Sequence, residues 1–508
     1  MATVTRETER KYDAPAGASL PDLRGLPKVA RQSAADEVLL EATYYDTEGF
    51  DLARVGISLR RRTGGGDAGW HLKIPTGAAS TRTELQLPLG PELPAELLGL
   101  LTARLRGRPL HPVATISTLR RRSTLADAAG GPLAEIALDA VTAAALGGAA
   151  EPVRWTEVEV ELAEDAAGGG GLLKAADRAL RRSGLTPSAS RMKLEAALGD
   201  ALPAPAAPLM PGRKTSAGEV VVAYLRTQFE ELLSRDVLVR RAQPDALHRM
   251  RVAARRMRAA LQEFGGLFHA AGIDGLINEL RWLGQELGRA RDEEVLRDLL
   301  LDELARTPAE SVLGPVRARV AGHFAPRLAE AERHVLDEVL TSSRYLTLLD
   351  DLEAWIANPP FAGKAGRRAA GELPRLVKRS QRRVRRRMSA ARQASSDGER
   401  DSALHAVRKA AKRARYAAEV AAVTSGKPAG KSAAALEKLQ STLGDHHDGA
   451  IASTELRALA VHAHGEGENA YAYGILHGRL HERGHRLAER ARDQWRRADR
   501  SRRTAWMG

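Results

Sequence analysis

The sequence predicts an α+β protein: an N-terminal antiparallel eight-stranded barrel followed by a C-terminal all-α helical bundle with pseudo-twofold symmetry. Three observations carry this. Residues 1–165 contain short runs of alternating apolar and polar residues punctuated by Gly and Pro, the pattern of half-buried strands. Beyond about residue 215 the apolar period is helical almost to the end. Within that second part, two stretches about 157 residues apart repeat one another, DALHRMRVAARRMRAALQEF from Asp245 and DSALHAVRKAAKRARYAAEV from Asp401.

Strands are predicted near 4–13, 38–46, 56–63, 69–75, 81–88, 112–126, 133–143 and 153–163, with short helices near 21–26 and 92–104 and a helix near 171–183. Eight short, mostly hairpin-linked strands suit a closed antiparallel sheet. GDALPAPAAPLMPGRKTSAG (199–218) has no periodic pattern and reads as an Ala/Pro-rich linker. The division expected is 3–199 for the barrel, 200–215 for the linker and 216–500 for the helical part.

The strands carry charge on one face. Glu7, Glu9 and Lys11 share a face of the first, Arg60 and Arg62 of the third; Lys73 lies on the fourth, Arg82 and Glu84 on the fifth. Arg120 and Arg122 share a face of the sixth, Glu135 and Asp139 of the seventh, and Glu157, Glu159 and Glu161 of the eighth. The bland alternative is a solvated outer face. Against it, cations and carboxylates gather on different strands, and VEVEL, TELQLPL and LAEIALD keep an apolar opposite face that helices could cover. With the apolar face outward, the interior is a polar tunnel. Inward cations repel unless an anion lies among them, and inward carboxylates are unsettled without a divalent metal. Hard oxygen ligands favour Mg²⁺ or Mn²⁺, which also bind phosphate oxygens. A metal-bound oligophosphate is the consistent occupant.

In the helical part, His248 is followed by Arg251, Arg255 and Arg258, and His405 by Arg408, Lys412 and Arg415, with offsets of 3, 7 and 10 in both copies. These positions fall within roughly 80° on a helix, giving one cationic stripe per copy. LRWLGQELGRARD and LEKLQSTLGDHHD repeat again downstream, Gly288 matching Gly444 and Asp292 matching Asp448. PRLVKRSQRRVRRRM adds Arg375, Lys378, Arg379, Arg382, Arg383 and Arg386 on or near one face. His323 and His334 read as ordinary histidines, and His446 and His447 as structural. For His248 and His405, phosphate contact competes with an interhelical hydrogen bond.

Net charge sharpens the contrast. Residues 1–200 hold 25 Lys+Arg against 26 Asp+Glu, while 201–508 hold 53 against 38, so the excess of +14 sits wholly with the duplication. That favours a phosphate-rich partner. Aromatic residues are 4% of the chain, few for stacking bases, so nucleic acid is the weaker expectation and a linear polyphosphate the stronger. Absence of cysteine excludes disulfides and thiolate chemistry, and no apolar run is long enough to span a membrane. The expected compartment is the cytoplasm, with association to polyphosphate granules.

ETERK (Glu7 to Lys11) resembles the ExExK signature of the CYTH superfamily, the triphosphate tunnel metalloenzymes. SLRRR, WHLKIP, TRTELQLPL, STLRRRS, LAEIALD and VEVEL follow in that family's order, over roughly 3–199. The LHxxR-type repeats resemble a CHAD domain over roughly 215–500, making the chain similar to CYTH–CHAD fusion proteins. The resemblance implies metal ligation by Glu7, Glu9, Glu159 and Glu161. It implies triphosphate binding by Lys11, Arg60, Arg62, Lys73, Arg82, Arg120, Arg122 and Lys193. It further implies a Mg²⁺- or Mn²⁺-dependent triphosphatase acting on inorganic triphosphate. Inorganic polyphosphate would bind at His248, Arg251, Arg255, Arg258, Arg379, Arg382, Arg386, His405, Arg408, Lys412 and Arg415. The alternatives are thiamine triphosphate hydrolysis, ATP cyclisation or a non-catalytic polyphosphate-binding role. Met192 stands where a serine often precedes the basic residue, and Ala163 where a base often follows VEVEL. No general base is identified.

Overall fold

A computed structural model describes the chain apart from residues 1–2, 77–80, 148–150, 164–168, 191, 204–211, 213 and 271. Most of the predicted linker therefore lies outside the described residues. The backbone divides into two compact units, Met1–Ala207 and Pro208–Gly508.

The first unit has strands β1 (Thr3–Ala14), β2 (Arg31–Gln32), β3 (Asp36–Asp46), β4 (Ser58–Thr63), β5 (Gly69–Pro75), β6 (Thr81–Pro88), β7 (His111–Ala126), β8 (Pro132–Ala145), β9 (Val153–Leu162) and β10 (Thr186–Pro187). Eight of them pair in the order β1-β6-β5-β4-β3-β7-β8-β9, and β9 pairs back onto β1, closing an antiparallel barrel. The two-residue strands β2 and β10 only add to β7 and β1.

The barrel is apolar outside. Helix α1 spans Ala95–Leu105, α2 spans Gly169–Arg182 and α3 spans Lys193–Leu198. Leu172, Leu173, Ala176 and Leu180 of α2 pack on Tyr12, Ile136, Leu138, Val158 and Val160, the strand positions that alternate with the charged ones. Leu194, Ala197 and Leu198 of α3 pack on Val113, Ala114, Ile116 and Val141. Each large aliphatic side chain so covered contributes about 1.5–3 kcal/mol, and strand alternation then leaves the charged positions facing inward.

The helix expected at 21–26 does not form. Two successive turns replace it, Leu26 N–H donating to Leu23 O and Val29 N–H to Leu26 O, both at 3.1 Å. Gln32 takes up the freed groups, accepting from Leu23 N–H at 2.8 Å and donating to Pro21 O at 3.0 Å. Five residues between Pro21 and Pro27 could close few i→i+4 bonds, whereas the turns seat Leu23, Leu26 and Val29 in the core beneath α2.

The second unit is helical, with no strand among its described residues: α4 (Ala217–Arg240), α5 (Ala246–Phe264), α6 (Ile273–Glu286), α7 (Gly288–Ala305), α8 (Val316–His334), α9 (Ser343–Ala357), α10 (Ala369–Arg392), α11 (Asp397–Gly465), α12 (Tyr471–Ala498) and α13 (Ser501–Thr504). Ser216 opens it with a reciprocal cap, its hydroxyl accepting from Glu219 N–H while Glu219 accepts from Ser216 N–H. Helix α11 is divided at Gly426, whose φ of 60° and ψ of −143° glycine reaches without steric cost. The first histidine stripe lies on α5 and the second on the first arm of α11. The matching downstream segments are split between α6 and α7 in one copy and continuous through Gly444 in the other. The second arm of α11 packs Ala452, Leu456 and Leu459 against Leu296 and Leu300 of α7 and Phe324 of α8, so the two copies share a core.

Asp46, fully buried at the end of β3, accepts backbone N–H bonds from Thr47 (2.8 Å), Leu52 (3.0 Å) and Ala53 (2.8 Å), shaping the loop that leads into β4. Replacing it with alanine orphans three buried donors. Asp46→Ala is expected to destabilise the barrel by about 3 kcal/mol or more, with Asp46→Asn recovering part of the loss. Urea unfolding followed by tryptophan fluorescence would measure both.

Candidate functional site

The twelve barrel residues to which the resemblance gave a metal or triphosphate role, from Glu7 to Lys193, all line one interior cavity of about 480 Å³, as do Glu84 and Glu135 but not Asp139 and Glu157. Register decides how they meet. Glu161 on β9 lies directly opposite Glu9 on β1 and directly opposite Glu135 on β8. Three carboxylates thus stand side by side across three strands, an arrangement that repels itself. Among the described residues Glu161 has no ion-pair partner, and its carboxyl is raised to about 7, first by burial. Lys73 and Arg120 act against that rise, while Glu9 and Glu159 reinforce it. Glu7 is raised to about 8 by burial, although Lys73 Nζ donates to it at 2.6 Å. Burial would raise Glu9 too, but Lys11, 3.5 Å away, holds it below the ordinary value.

Glu159 sits in a different setting. It accepts from Lys11 Nζ (2.5 Å), Arg120 (2.5 Å) and Lys193 Nζ (2.7 Å). Lys193, at the start of α3, also reaches Asp139 (2.8 Å) and Glu157 (2.7 Å), and Arg120 bonds both oxygens of Asp139. The oxygens of Asp139, Glu157 and Glu159 converge within 4.8 Å, a grouping able to hold a metal, and the Lys193 ammonium lies against all three. The row Glu9–Glu161–Glu135 has Lys11 beside Glu9, Lys73 and Arg82 acting at longer range, and Arg122 3.6 Å from Glu135. Carboxylate donors suit a hard divalent cation, and among the described barrel residues the oxygens of Asp139, Glu157 and Glu159 are the ones that converge within 4.8 Å.

The cations are crowded as well. Burial and the neighbouring Arg60 and Arg120 lower Arg62 to about 9, and Arg62 reaches Asp67. The Nε groups of Arg60 and Arg62 are buried donors with no acceptor among the described residues. Arg60 Nη1 donates to the Tyr44 hydroxyl at 3.2 Å, and Arg122 lies 3.1 Å from Asp36 and 3.6 Å from Glu135. Glu84 joins Lys73 (3.7 Å), Arg60 (3.5 Å) and His71 (2.9 Å). Sequence reasoning passed over Tyr44, whose alternation carries no charge signal, and His71. It counted Glu84 and Glu135 among the same-face charges without giving them a role.

In the helical unit the stripes on α5 and α11 approach one another. Lys412 is pushed down to about 6 by burial and then by Arg408, Arg255 and Arg251, and Arg408 is lowered by burial with Arg255 and Arg251 contributing. Arg251 donates to Asp292 at 2.8 Å. A Cβ on Gly288 would meet the Arg251 guanidinium at 2.8 Å, and one on Gly444 the Arg408 guanidinium at 3.5 Å. The duplicated glycines are therefore the floors on which the duplicated arginines lie. Nδ1 of His248 and of His405 is buried without a hydrogen-bond partner in both copies, so neither forms an interhelical bond through that atom. His405 instead packs on His447, ring centroids 4.0 Å apart.

The third stripe position breaks the symmetry. Arg415 is tied to Glu419 (2.8 Å) and Glu437 (2.9 Å), whereas Arg258 faces other cations, Arg281 and Arg413 among them. On α10, Arg379, Arg382 and Arg386 are exposed without a partner among the described residues, while Arg383 pairs with Glu263 at 2.5 Å. His323 and His334 have ordinary carboxylate partners, Glu455 at 3.2 Å and Glu286 at 3.1 Å.

Two domain families match the chain, CYTH over residues 5–176 and CHAD over 223–457. The uncharacterised protein Rv2226 of Mycobacterium tuberculosis is 37% identical over 504 residues, covering 96% of this chain and 94% of the relative. Among solved structures, PptA from Streptomyces chartreusis is 21% identical, covering 56% of this chain and 99% of that one with a TM-score of 0.44. The CHAD domain from the plant Ricinus communis is 28% identical, covering 57% and 94% with a TM-score of 0.44. A Hippeastrum protein described as an adenylyl cyclase candidate with a dominant triphosphatase activity is 16% identical, covering 38% and 93% with a TM-score of 0.21.

Raised carboxyls make the barrel's stability depend on pH. Glu7 and Glu161 bind protons in the folded state up to about 8 and 7, against 4.5 when unfolded. Their contribution is fully present below about pH 4.5 and is lost as pH rises through 7–8. In chelator-treated protein the barrel's thermal midpoint should fall across that window, and Glu161→Gln should flatten the fall. A midpoint that rises from pH 5 to 8 would contradict this assignment.

Proposed function

The chain belongs to the CYTH–CHAD fusion proteins, and on that premise we propose that its barrel hydrolyses inorganic triphosphate with a divalent metal while its helical unit binds inorganic polyphosphate. CYTH domains are metal-dependent and include triphosphatases and cyclases; both families bind phosphate compounds. What carries the reading here is the coexistence of two unmet demands in one cavity: carboxylates in a row, and buried Arg60 and Arg62 N–H donors without acceptors. A metal-bound phosphate chain answers both.

Glu9 and Glu161, with Glu135, are the residues that would hold Mg²⁺ or Mn²⁺, with Glu7 nearby; Glu159 is already neutralised by Lys11, Arg120 and Lys193. Bound there, the ion supplies charge neutralisation at phosphate oxygens and lowers the pKa of a coordinated water. Arg60, Arg62, Lys73, Arg82, Arg120 and Arg122 surround the phosphoryl groups and fix the chain along the tunnel. Because these donors are already in place, little reorganisation accompanies charge development on the departing phosphate. The Lys193 cluster holds Glu159 and Asp139 in fixed ion pairs, so that end of the cavity keeps its shape as substrate enters. Tyr44 is the one aromatic residue among the described lining residues, and its hydroxyl accepts from Arg60. That leaves little for a nucleobase or thiazolium to stack upon and favours the inorganic substrate.

For the helical unit, support comes from the facing cations. Arg251, Arg255, Arg408 and Lys412 crowd together at a cost that a polyanion would relieve, and His248 and His405 add a free ring nitrogen at each end.

Purified protein is expected to release phosphate from tripolyphosphate with Mg²⁺ or Mn²⁺ and far less from ATP or thiamine triphosphate. Glu9→Gln/Glu161→Gln should lower turnover by about three orders of magnitude, several kcal/mol of lost charge stabilisation. Binding without release by the unaltered protein would instead mark a non-catalytic phosphate carrier.

Long-chain polyphosphate should bind the full chain with a steep salt dependence. Arg251→Glu/Arg408→Glu should abolish that binding while tripolyphosphate turnover continues. Replacing the pair by glutamine should lower the salt slope by about one per cation removed. Preference for duplex DNA at equal phosphate concentration would overturn the assignment.

A further inference from the structure

The duplication supplies an internal comparison away from the stripes. Each copy has a cavity beside its histidine helix. In the first, Asp245, Ala290 and Glu294 look across at Leu328, Glu332 and Leu336. In the second, Asp401, His446 and Ala450 occupy the positions 156 residues on, and the facing helix α12 presents His481 and His485. The first cavity is partly aliphatic, with His248 as its one histidine among the described lining residues; its counterpart carries three.

The side chains in the second cavity converge. His481 and His485 are one turn apart on α12, and their Nε2 atoms lie 3.0 Å from one another. Two ring nitrogens at that distance can share at most one proton, so each is oriented toward a common point that one of them meets as a lone pair. Asp397, at the start of α11, completes a group whose ligand atoms all lie within 4.8 Å. Its two oxygens are differentiated. Oδ1 accepts from Arg400 at 2.7 Å, which fixes the carboxylate, while Oδ2 faces His481 Nε2 at 4.0 Å. Behind them His446, buried, sets its Nε2 3.3 Å from Asp401 in the same cavity of about 130 Å³.

Two imidazoles and one carboxylate oriented by a neighbouring arginine form a nitrogen-rich donor set, unlike the all-oxygen row in the barrel. Imidazole selects zinc, copper, nickel or iron over magnesium, and two histidines with one carboxylate are a three-ligand zinc set with a fourth position for water. We infer that Asp397, His481 and His485 bind one transition-metal ion of the Zn²⁺ class, clamping the start of α11 to α12. Among the described residues the group occurs in one copy of the duplication only, and it is independent of the phosphate chemistry proposed above.

The test uses the full-length, chelator-treated and untagged protein titrated with Zn²⁺ alone by calorimetry, then with Co²⁺ by visible absorption. The wild type should take up a zinc equivalent that His481→Gln/His485→Gln lacks and that excess Mg²⁺ does not displace. Glu9→Gln/Glu161→Gln should retain it, which separates this site from the barrel. Co²⁺ should give an intense tetrahedral absorption that the histidine variant loses. Both histidines are exposed, so their replacement should leave helicity unchanged. Unchanged zinc stoichiometry in the histidine variant, or loss of the equivalent only in the barrel variant, would overturn the inference.

Discussion

Everything in the barrel follows from where its apolar strand faces go. Val158, Val160, Leu138, Ile136 and Tyr12 are buried against α2, and alternation then sends Glu157, Glu159, Glu161 and their neighbours inward. A closed sheet has no edge through which those charges could escape to bulk water. The fold therefore stores electrostatic tension in its interior, part of it relaxed by ion pairs and part of it left standing.

The division between relaxed and standing charge distinguishes the surroundings of Lys193 from the rest of the barrel interior. Around Lys193 every carboxylate has a cation and every cation a carboxylate, with distances of 2.5–2.8 Å. Along Glu9–Glu161–Glu135 three carboxylates adjoin one another, and Arg60 and Arg62, although paired with Glu84 and Asp67, keep Nε donors without an acceptor among the described residues. A buried charge without a partner costs several kcal/mol, a loss that a ligand of opposite charge would recover. The helical unit uses the same device: Lys412, lowered to about 6 among arginines, is held by packing that its electrostatics oppose.

Duplication gives that second device its geometry. Arg251 lies across Gly288, too close for a Cβ, and Arg408 lies at ordinary contact distance over Gly444, with Asp292 and Asp448 following at equal spacing. The copies then diverge around this shared frame. Arg415 is neutralised by Glu419 and Glu437, Ala290 becomes His446, and α12 acquires a histidine pair that α8 lacks.

Much of this was legible in the chain itself. Period-two alternation placed eight strands and assigned each charge to a face, the helical period and repeat placed the second unit, and the ordered motifs indicated the family. These are local properties, readable wherever the backbone repeats regularly. The prolines around residues 21–27 were the exception, because a side chain eleven residues from Pro21, Gln32, took over the backbone bonds a helix would have used. What only the tertiary structure decided is which charges are neighbours. Alternation says that Glu9, Glu135, Glu159 and Glu161 point inward, but strand register sets Glu161 between two carboxylates and closure of β9 onto β1 brings Lys11 to Glu159. Helix α3, remote in sequence, carries Lys193 into the acid cluster. Coulomb energy depends on separation in space, and the separations here are set by pairings between residues 34 to 148 positions apart.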